Sequence, residues 1–162
     1  MNSNSAGVLG CDMINQRFCF GHGILMNKAA YRDCDTKKIG EWVEVYKHGQ
    51  GQNGLSFSHF YLDDKSQQGL HYIAIAGVAS KYDSMDTLRS FLGIPPTHRI
   101  QAVVHYIEKN LGGLDPTRIG LGGHSMGGLV ADYVADYIKP GIVFTQNAPA
   151  SLNKPLYSKT IE

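Results

Sequence analysis

Apolar residues follow two different rhythms along this chain. From Trp42 to Lys47 and from Leu55 to Leu62 β-branched and aromatic residues gather, and Gly49, Gly51, Asn53 and Gly54 between them supply the backbone angles of a hairpin or looped connection. Two antiparallel strands are expected there. After a polar break at 63–69, Leu70 to Val78 is apolar on successive residues through Tyr72-Ile73-Ala74-Ile75-Ala76, the mark of a strand buried on both faces. The period then lengthens. Ile100, Val103, Val104, Ile107 and Leu111 recur at helical spacing, with Arg99, His105, Glu108 and Lys109 placed largely elsewhere around the helix. Gly112-Gly113 ends it and Asp115-Pro116 turns the chain into a short strand, Arg118 to Gly122. A second helical stripe, Leu129, Val130, Tyr133, Val134, Tyr137 and Ile138, closes at Lys139-Pro140-Gly141 and leads into a buried strand, Ile142 to Thr145.

Strand, helix, strand, helix, strand in that order implies right-handed crossovers and parallel pairing, with the hairpin adding antiparallel strands at one side. Residues 1–162 therefore read as a single α/β domain. Within it, 1–40 is the least regular stretch, although Ala29-Ala30-Tyr31 fits a short helix over one sheet face. Ser80, Lys81, Asp83, Ser84 and Asp86 form a polar loop able to cap a short helix through Leu88 and Phe91, ended by Gly93 and Pro95-Pro96. Residues 151–162 read as loop and tail.

Charge narrows the partners. Fifteen Lys plus Arg against fourteen Asp plus Glu leave a formal charge of +1, without a basic cluster that would neutralise a run of phosphates, so nucleic acid is not expected. No window approaches the roughly eighteen apolar residues of a membrane-spanning helix, and the N-terminus shows no secretory signal. Cys11, Cys19 and Cys34 match no common zinc or redox spacing. They are expected as free thiols, in a reducing and hence cytoplasmic compartment, and neither a metal nor a cofactor is expected.

The chemistry concentrates at Gly123-His124-Ser125-Met126-Gly127. With 19 glycines in the chain the bare glycine-x-serine-x-glycine pattern says little. Its place says more, because a buried strand precedes it and an amphipathic helix follows. A serine at such a turn has its hydroxyl lifted clear of the sheet edge, while the first N–H groups of the helix point at whatever it attacks. The competing reading makes Ser125 a helix cap in a turn where Gly123, Gly127 and Gly128 merely allow tight packing.

Gly123-His124-Ser125-Met126-Gly127-Gly128 resembles the nucleophile elbow of α/β-hydrolases, and three further segments resemble class 3 (fungal-type) lipases. These are Ala29-Ala30-Tyr31, then Ile75-Ala76-Gly77-Val78 with Asp86 after it, and Thr145-Gln146-Asn147-Ala148-Pro149. Together they cover roughly residues 28–150 in the family's order. The resemblance implies an α/β-hydrolase-like fold, with a central mostly parallel sheet, helices on both faces, an N-terminal antiparallel hairpin, and an incomplete C-terminal side. It implies that Ser125 is the nucleophile of a lipase or carboxylesterase acting on esters of lipids or small alcohols. The oxyanion donors would be the backbone N–H groups of Val78 and Met126, with Gly123, Gly127 and Gly128 as elbow glycines. Position alone offers 82–96 as a lid segment.

The sequence departs from that pattern in the rest of the triad. The family's order is serine, acid, histidine, and no histidine follows Ser125 here. Asp132, Asp136 and Glu162 do not match the family's acid. His124 is adjacent in the chain, but its side chain is expected to pack or to contact the oxyanion loop, and His22, His48, His59, His71, His98 and His105 all lie upstream. With Ile142–Thr145 left as an apolar sheet edge, the chain reads as a C-terminally truncated hydrolase, the edge being covered by a missing part or a partner chain. The alternative is a catalytically silent hydrolase-like module that binds a partner or a lipid. A nucleotide site in the glycine-rich turn is disfavoured, since no lysine follows the glycines and no acid sits where a ribose would need one.

Overall fold

The computed structural model describes residues 17–31, 33–49, 54–77, 89, 92–149 and 159–161. Their element order is α1 (Phe20–Ala29), β1 (Lys38–Ile39), β2 (Trp42–His48), β3 (Phe57–Leu62), β4 (Leu70–Ile75), α2 (Thr97–Leu111), β5 (Ile119–His124), α3 (Met126–Ile138), β6 (Ile142–Gln146) and β7 (Lys159–Ile161). The strands lie in chain order across one open, mixed sheet. β1 to β4 pair antiparallel, whereas β4, β5, β6 and β7 pair parallel. The crossovers β4-α2-β5 and β5-α3-β6 advance the same way along the sheet, which puts both helices on one face. On the other face lies α1.

Alternation along the strands sorts the core into two layers. Ile73, Ile75, Ile119, Leu121 and Val143 face α2 and α3 in an aliphatic cluster with Ile100, Val103, Ile107, Leu111, Val130 and Val134. Leu70, Tyr72, Ala74, Ala76 and Phe144 face the α1 side, with Phe18, Met26, Trp42 and Phe60. All six residues of β4 are buried, as a strand with helices on both sides requires.

Several expectations need correction. Residues 20–29 of the supposedly irregular first forty are helical; the apolar side chains of α1 are spread around its axis instead of forming a stripe, so periodicity does not announce it. The expected tail supplies β7, whose Lys159, Thr160 and Ile161 pair with Phe144, Thr145 and Gln146, so β6 is not the sheet edge. Arg99 was expected off the core face of α2, yet it is buried, with Nη1 3.4 Å from the Gly54 carbonyl. Tyr137 was expected in the core stripe and is 70% exposed. Cys19 is disulfide-bonded while Cys34 keeps a free thiol, so the inference from free thiols to a reducing compartment loses its basis. The helix expected through Leu88 and Phe91 lies outside the described residues.

Candidate active site

β5 reads Ile119-Gly120-Leu121-Gly122-Gly123-His124, and its glycines are spent on close approach. On the α1 face Gly120 and Gly122 stand beside Tyr72 and Ala74 of β4. A Cβ on Gly120 would lie 2.7 Å from the Tyr72 ring and 2.9 Å from Phe18, and one on Gly122 would collide with the Tyr72 hydroxyl. The missing side chains let the tyrosine lie across the strand. Its hydroxyl donates to Asn27 Oδ1 at 2.9 Å, and Asn27 Nδ2 donates to the Phe144 carbonyl at 3.3 Å and Gln146 Oε1 at 3.1 Å. Asn27, fully buried in α1, thus stitches the helix to β4 and β6. Burial holds the Tyr72 phenol far above its ordinary range.

At the end of β5 the chain turns sharply into α3. Ser125 takes φ 56° and ψ −126° there. This is not the ordinary left-handed conformation seen at Lys139, the helix's other end, with φ 56° and ψ 56°. Such a backbone costs a non-glycine residue about 1–3 kcal/mol and persists only where its surroundings enforce it. They do so on every side. The Ser125 N–H donates to the Gln146 carbonyl at 2.8 Å, and its own carbonyl accepts from Gly128 at 3.0 Å and Leu129 at 3.3 Å. A Cβ on Gly127 would collide with the Ile75 carbonyl and lie 2.7 Å from the Ala76 carbonyl carbon. A Cβ on Gly123 would collide with Gly127, and one on Gly128 would sit 2.7 Å from the Ala148 methyl. Only glycines allow α3 to press this closely on the ends of β4 and β5.

The Ser125 side chain makes no cap hydrogen bond, which removes the reading of this residue as a helix cap. Its hydroxyl is half-buried and makes no hydrogen bond among the described residues. Met126 is the first residue of α3, so its N–H stands at the helix N-terminus, where the dipole favours a developing negative charge. Gly77, two residues past β4, abuts the same turn: a Cβ there would lie 2.7 Å from the His124 carbonyl oxygen and 3.1 Å from Ser125 Cβ. Val78, the other expected donor, lies outside the described residues, as do 82–88 of the expected lid.

His124 points to the α1 face, and its Nδ1 is 2.7 Å from the Tyr31 hydroxyl. The backbone N–H of Gly77 donates to the same phenol oxygen, while burial raises the Tyr31 pKa. The phenol thus joins the Gly77 amide, past the end of β4, to the His124 ring at the end of β5. Beside this pair opens a cavity of about 580 Å³ lined by Ile24, Lys28, Tyr31, Asp33, Cys34, His124 and Gln146. A hydrogen bond with Thr36 holds the Cys34 thiol below its ordinary pKa.

None of the seven histidines is hydrogen-bonded to Ser125. His98 and His105 are exposed on α2. His59 and His71 are buried on the α2 face and bonded to each other, Nε2 to Nδ1, at 2.8 Å. Among the described residues no group of three or more His, Cys, Asp or Glu could hold a metal ion. None of their helices is long and apolar enough to cross a membrane. Sequence reading named Ser125, its glycines and Met126, which the structure gathers at one strand-to-helix turn. It missed Asn27, Gln146 and the bond between Tyr31 and His124, because partners 93 residues apart leave no local signal.

The sequence matches no protein-family profile and no curated protein. Among solved structures it is similar to the Rhizomucor miehei lipase propeptide complex in its native form, at 14% identity and a TM-score of 0.47 over 79% of this chain. The match spans 51% of that chain, so the sequence covers about half its length.

Proposed function

We propose that the protein is a serine hydrolase of lipase or carboxylesterase type, with an α/β-hydrolase-like fold. The observation that carries this reading is the strained Ser125, at φ 56° and ψ −126°, between the end of a buried parallel strand and the start of a helix. A turn of this shape spends stability to present a hydroxyl, and that hydroxyl is not used for capping. In the proposed reaction Ser125 Oγ bonds to the ester carbonyl carbon and the alcohol departs with a proton. Water then attacks the acyl-enzyme, releasing the acid and returning the serine proton. The N–H groups of Met126 and Val78 would hold the oxyanion, each such donor being worth about 3 kcal/mol.

No histidine among the described residues bonds to Ser125. That same fact favours a second reading, a hydrolase-like module without turnover that binds a lipid or a partner. A fluorophosphonate ester separates the two. The proposal expects labelling of the protein that Ser125→Ala abolishes. A folded protein that neither labels nor hydrolyses p-nitrophenyl esters would leave the silent module.

A further inference from the structure

The segment that carries Tyr31 is held from the hairpin. Lys47 in β2 directs its ammonium at three backbone carbonyls: Ala29 at 3.0 Å, Tyr31 at 2.7 Å and Cys34 at 2.7 Å. An ammonium has three hydrogens to donate, so its whole capacity is spent on this one segment. Ser56 Oγ, just before β3, donates to the carbonyl between the first two, Ala30, at 2.6 Å. The last carbonyls of a helix have no partner within it, and a cation is favoured there by the helix dipole. A simple cap would need one or two such bonds. Here four carbonyls, those of Ala29, Ala30, Tyr31 and Cys34, are held, and the side chain of Tyr31 is the phenol bonded to both Gly77 and His124.

We propose that Lys47 is a positioning residue for Ser125: by clamping the carbonyls of Ala29, Tyr31 and Cys34 it fixes the Tyr31 hydroxyl, which locks the exit of β4 to the strand end that bears the serine. The proposal rests on the reading of Ser125 as a nucleophile. Lys47 and Tyr31 touch no reacting atom; they set the register between two elements that must present their N–H groups to one oxyanion. A misplacement of about 1 Å can cost on the order of 100-fold in rate, and the expected donors stand on separate elements, one after Gly77 and one after Ser125.

The test reads geometry and chemistry separately. In the ¹⁵N spectrum of the full chain, Tyr31→Phe should move the His124 Nδ1 signal toward that of an unbonded imidazole nitrogen. Lys47→Met, which has no contact with His124, should move the same signal the same way by a smaller amount. It should also slow fluorophosphonate labelling of Ser125 about tenfold, and Lys47→Arg should restore much of the rate. Should Lys47→Met fail to fold, Ser56→Ala, which removes only the Ala30 bond, carries the same expectation at reduced size. An unshifted His124 signal in the Lys47 or Ser56 variant overturns the proposal, whatever happens to Tm, because a mere cap would lower stability without reaching His124. If the unaltered protein does not label at all, the hydrolase reading fails on its own, and the His124 signal still decides whether the clamp reaches the turn.

Discussion

The two faces of the sheet are built from different chemistry. The face under α2 and α3 is mostly aliphatic; Arg99, Asp132 and Thr145 are buried there too, and its longest polar interruption is a closed chain. Tyr106 donates to His59 Nδ1 at 2.9 Å, His59 Nε2 donates to His71 Nδ1 at 2.8 Å, and His71 Nε2 donates to the Gln68 carbonyl at 3.0 Å. A backbone carbonyl ends that chain and so fixes the tautomers of the neutral imidazoles, while burial disfavours their charged forms. The face under α1 is aromatic and polar, and its networks run toward the Ser125 turn: Asn27 to Gln146, and Lys47 through Tyr31 to His124. Burial of aliphatic surface supplies stability without direction, whereas hydrogen bonds supply direction at small net gain. The face that holds the molecule together and the face that aims the turn can therefore be broken separately.

The largest separation is expected from Ile107→Ala. This α2 side chain is 1% exposed, and truncation of such a residue costs about 2–5 kcal/mol through lost transfer energy and the cavity left behind. Urea unfolding should show that loss. The His124 nitrogen signal of the folded fraction should stay where it was, and a shift comparable to that of Tyr31→Phe would mean the faces are not independent.

Acid should act on the same face. Burial, assisted by the charge His71 would carry, lowers His59 to about 4, and burial lowers His71 as well. The unfolded chain binds these protons near pH 6.5 while the folded chain resists them. The stability the pair contributes is thus complete above about 6.5 and is lost as pH falls from there through about 4. For His59 alone this amounts to about 3 kcal/mol. Urea midpoints at pH 7 and pH 4.5 measure it, and equal midpoints would remove the neutral chain from the account.

Asn27→Ala is the opposite case. It strands the Tyr72 hydroxyl, the Phe144 carbonyl and the Gln146 amide, a loss of about 1–3 kcal/mol. It should cost less stability than Ile107→Ala yet slow labelling of Ser125 more. Gln146 carries both the side chain that Asn27 holds and the carbonyl that accepts the Ser125 N–H at 2.8 Å. Equal labelling rates per folded molecule in the two variants would contradict the division of labour.

This division also explains what could be read in advance. The aliphatic face was legible because its signals are local: Ile100, Val103, Ile107 and Leu111 on one helix stripe, and Tyr72 to Ala76 apolar without alternation. Ser125 was legible because strand, turn glycines and helix are contiguous. The α1 face was not. Gly21 and Gly23 break the helical pattern of α1 in sequence, and Gly23 is needed because a Cβ there would lie 2.8 Å from the Phe144 ring. Gly120 and Gly122 lie in the strand expected over Arg118 to Gly122, but nothing local says that they are the floor under Tyr72. Lys47 alternates outward in its strand pattern, and nothing local says that its charge meets a helix end. Arg99 misled for a related reason: a guanidinium reads as solvent-facing until the loop carbonyl that receives it is in place.

The smallest effect should come from a contact belonging to neither face. Asp64, in the turn between β3 and β4, accepts from Ser66 and from Arg118 Nη1, the latter at 2.7 Å, and these bonds hold its carboxyl at about 2. Its contribution is present above the ordinary pKa near 3.8 and is lost as pH falls from there through about 2. Water reaches both partners, so Asp64→Asn should cost under about 1 kcal/mol at pH 7, and less in 1 M salt. Its value lies in what it leaves alone. Arg118 immediately precedes β5, the strand that ends at the Ser125 turn, so a mechanical link along the strand would carry the perturbation to His124. The Lys47–Tyr31–His124 arrangement routes that positioning across the sheet and so expects no change in the His124 signal. The Asp64→Asn variant should also keep the full loss of stability between pH 6.5 and 4, because that belongs to His59 and His71. A His124 shift in this variant would show that strand β5 itself, and not the Tyr31 contact, transmits position to the turn.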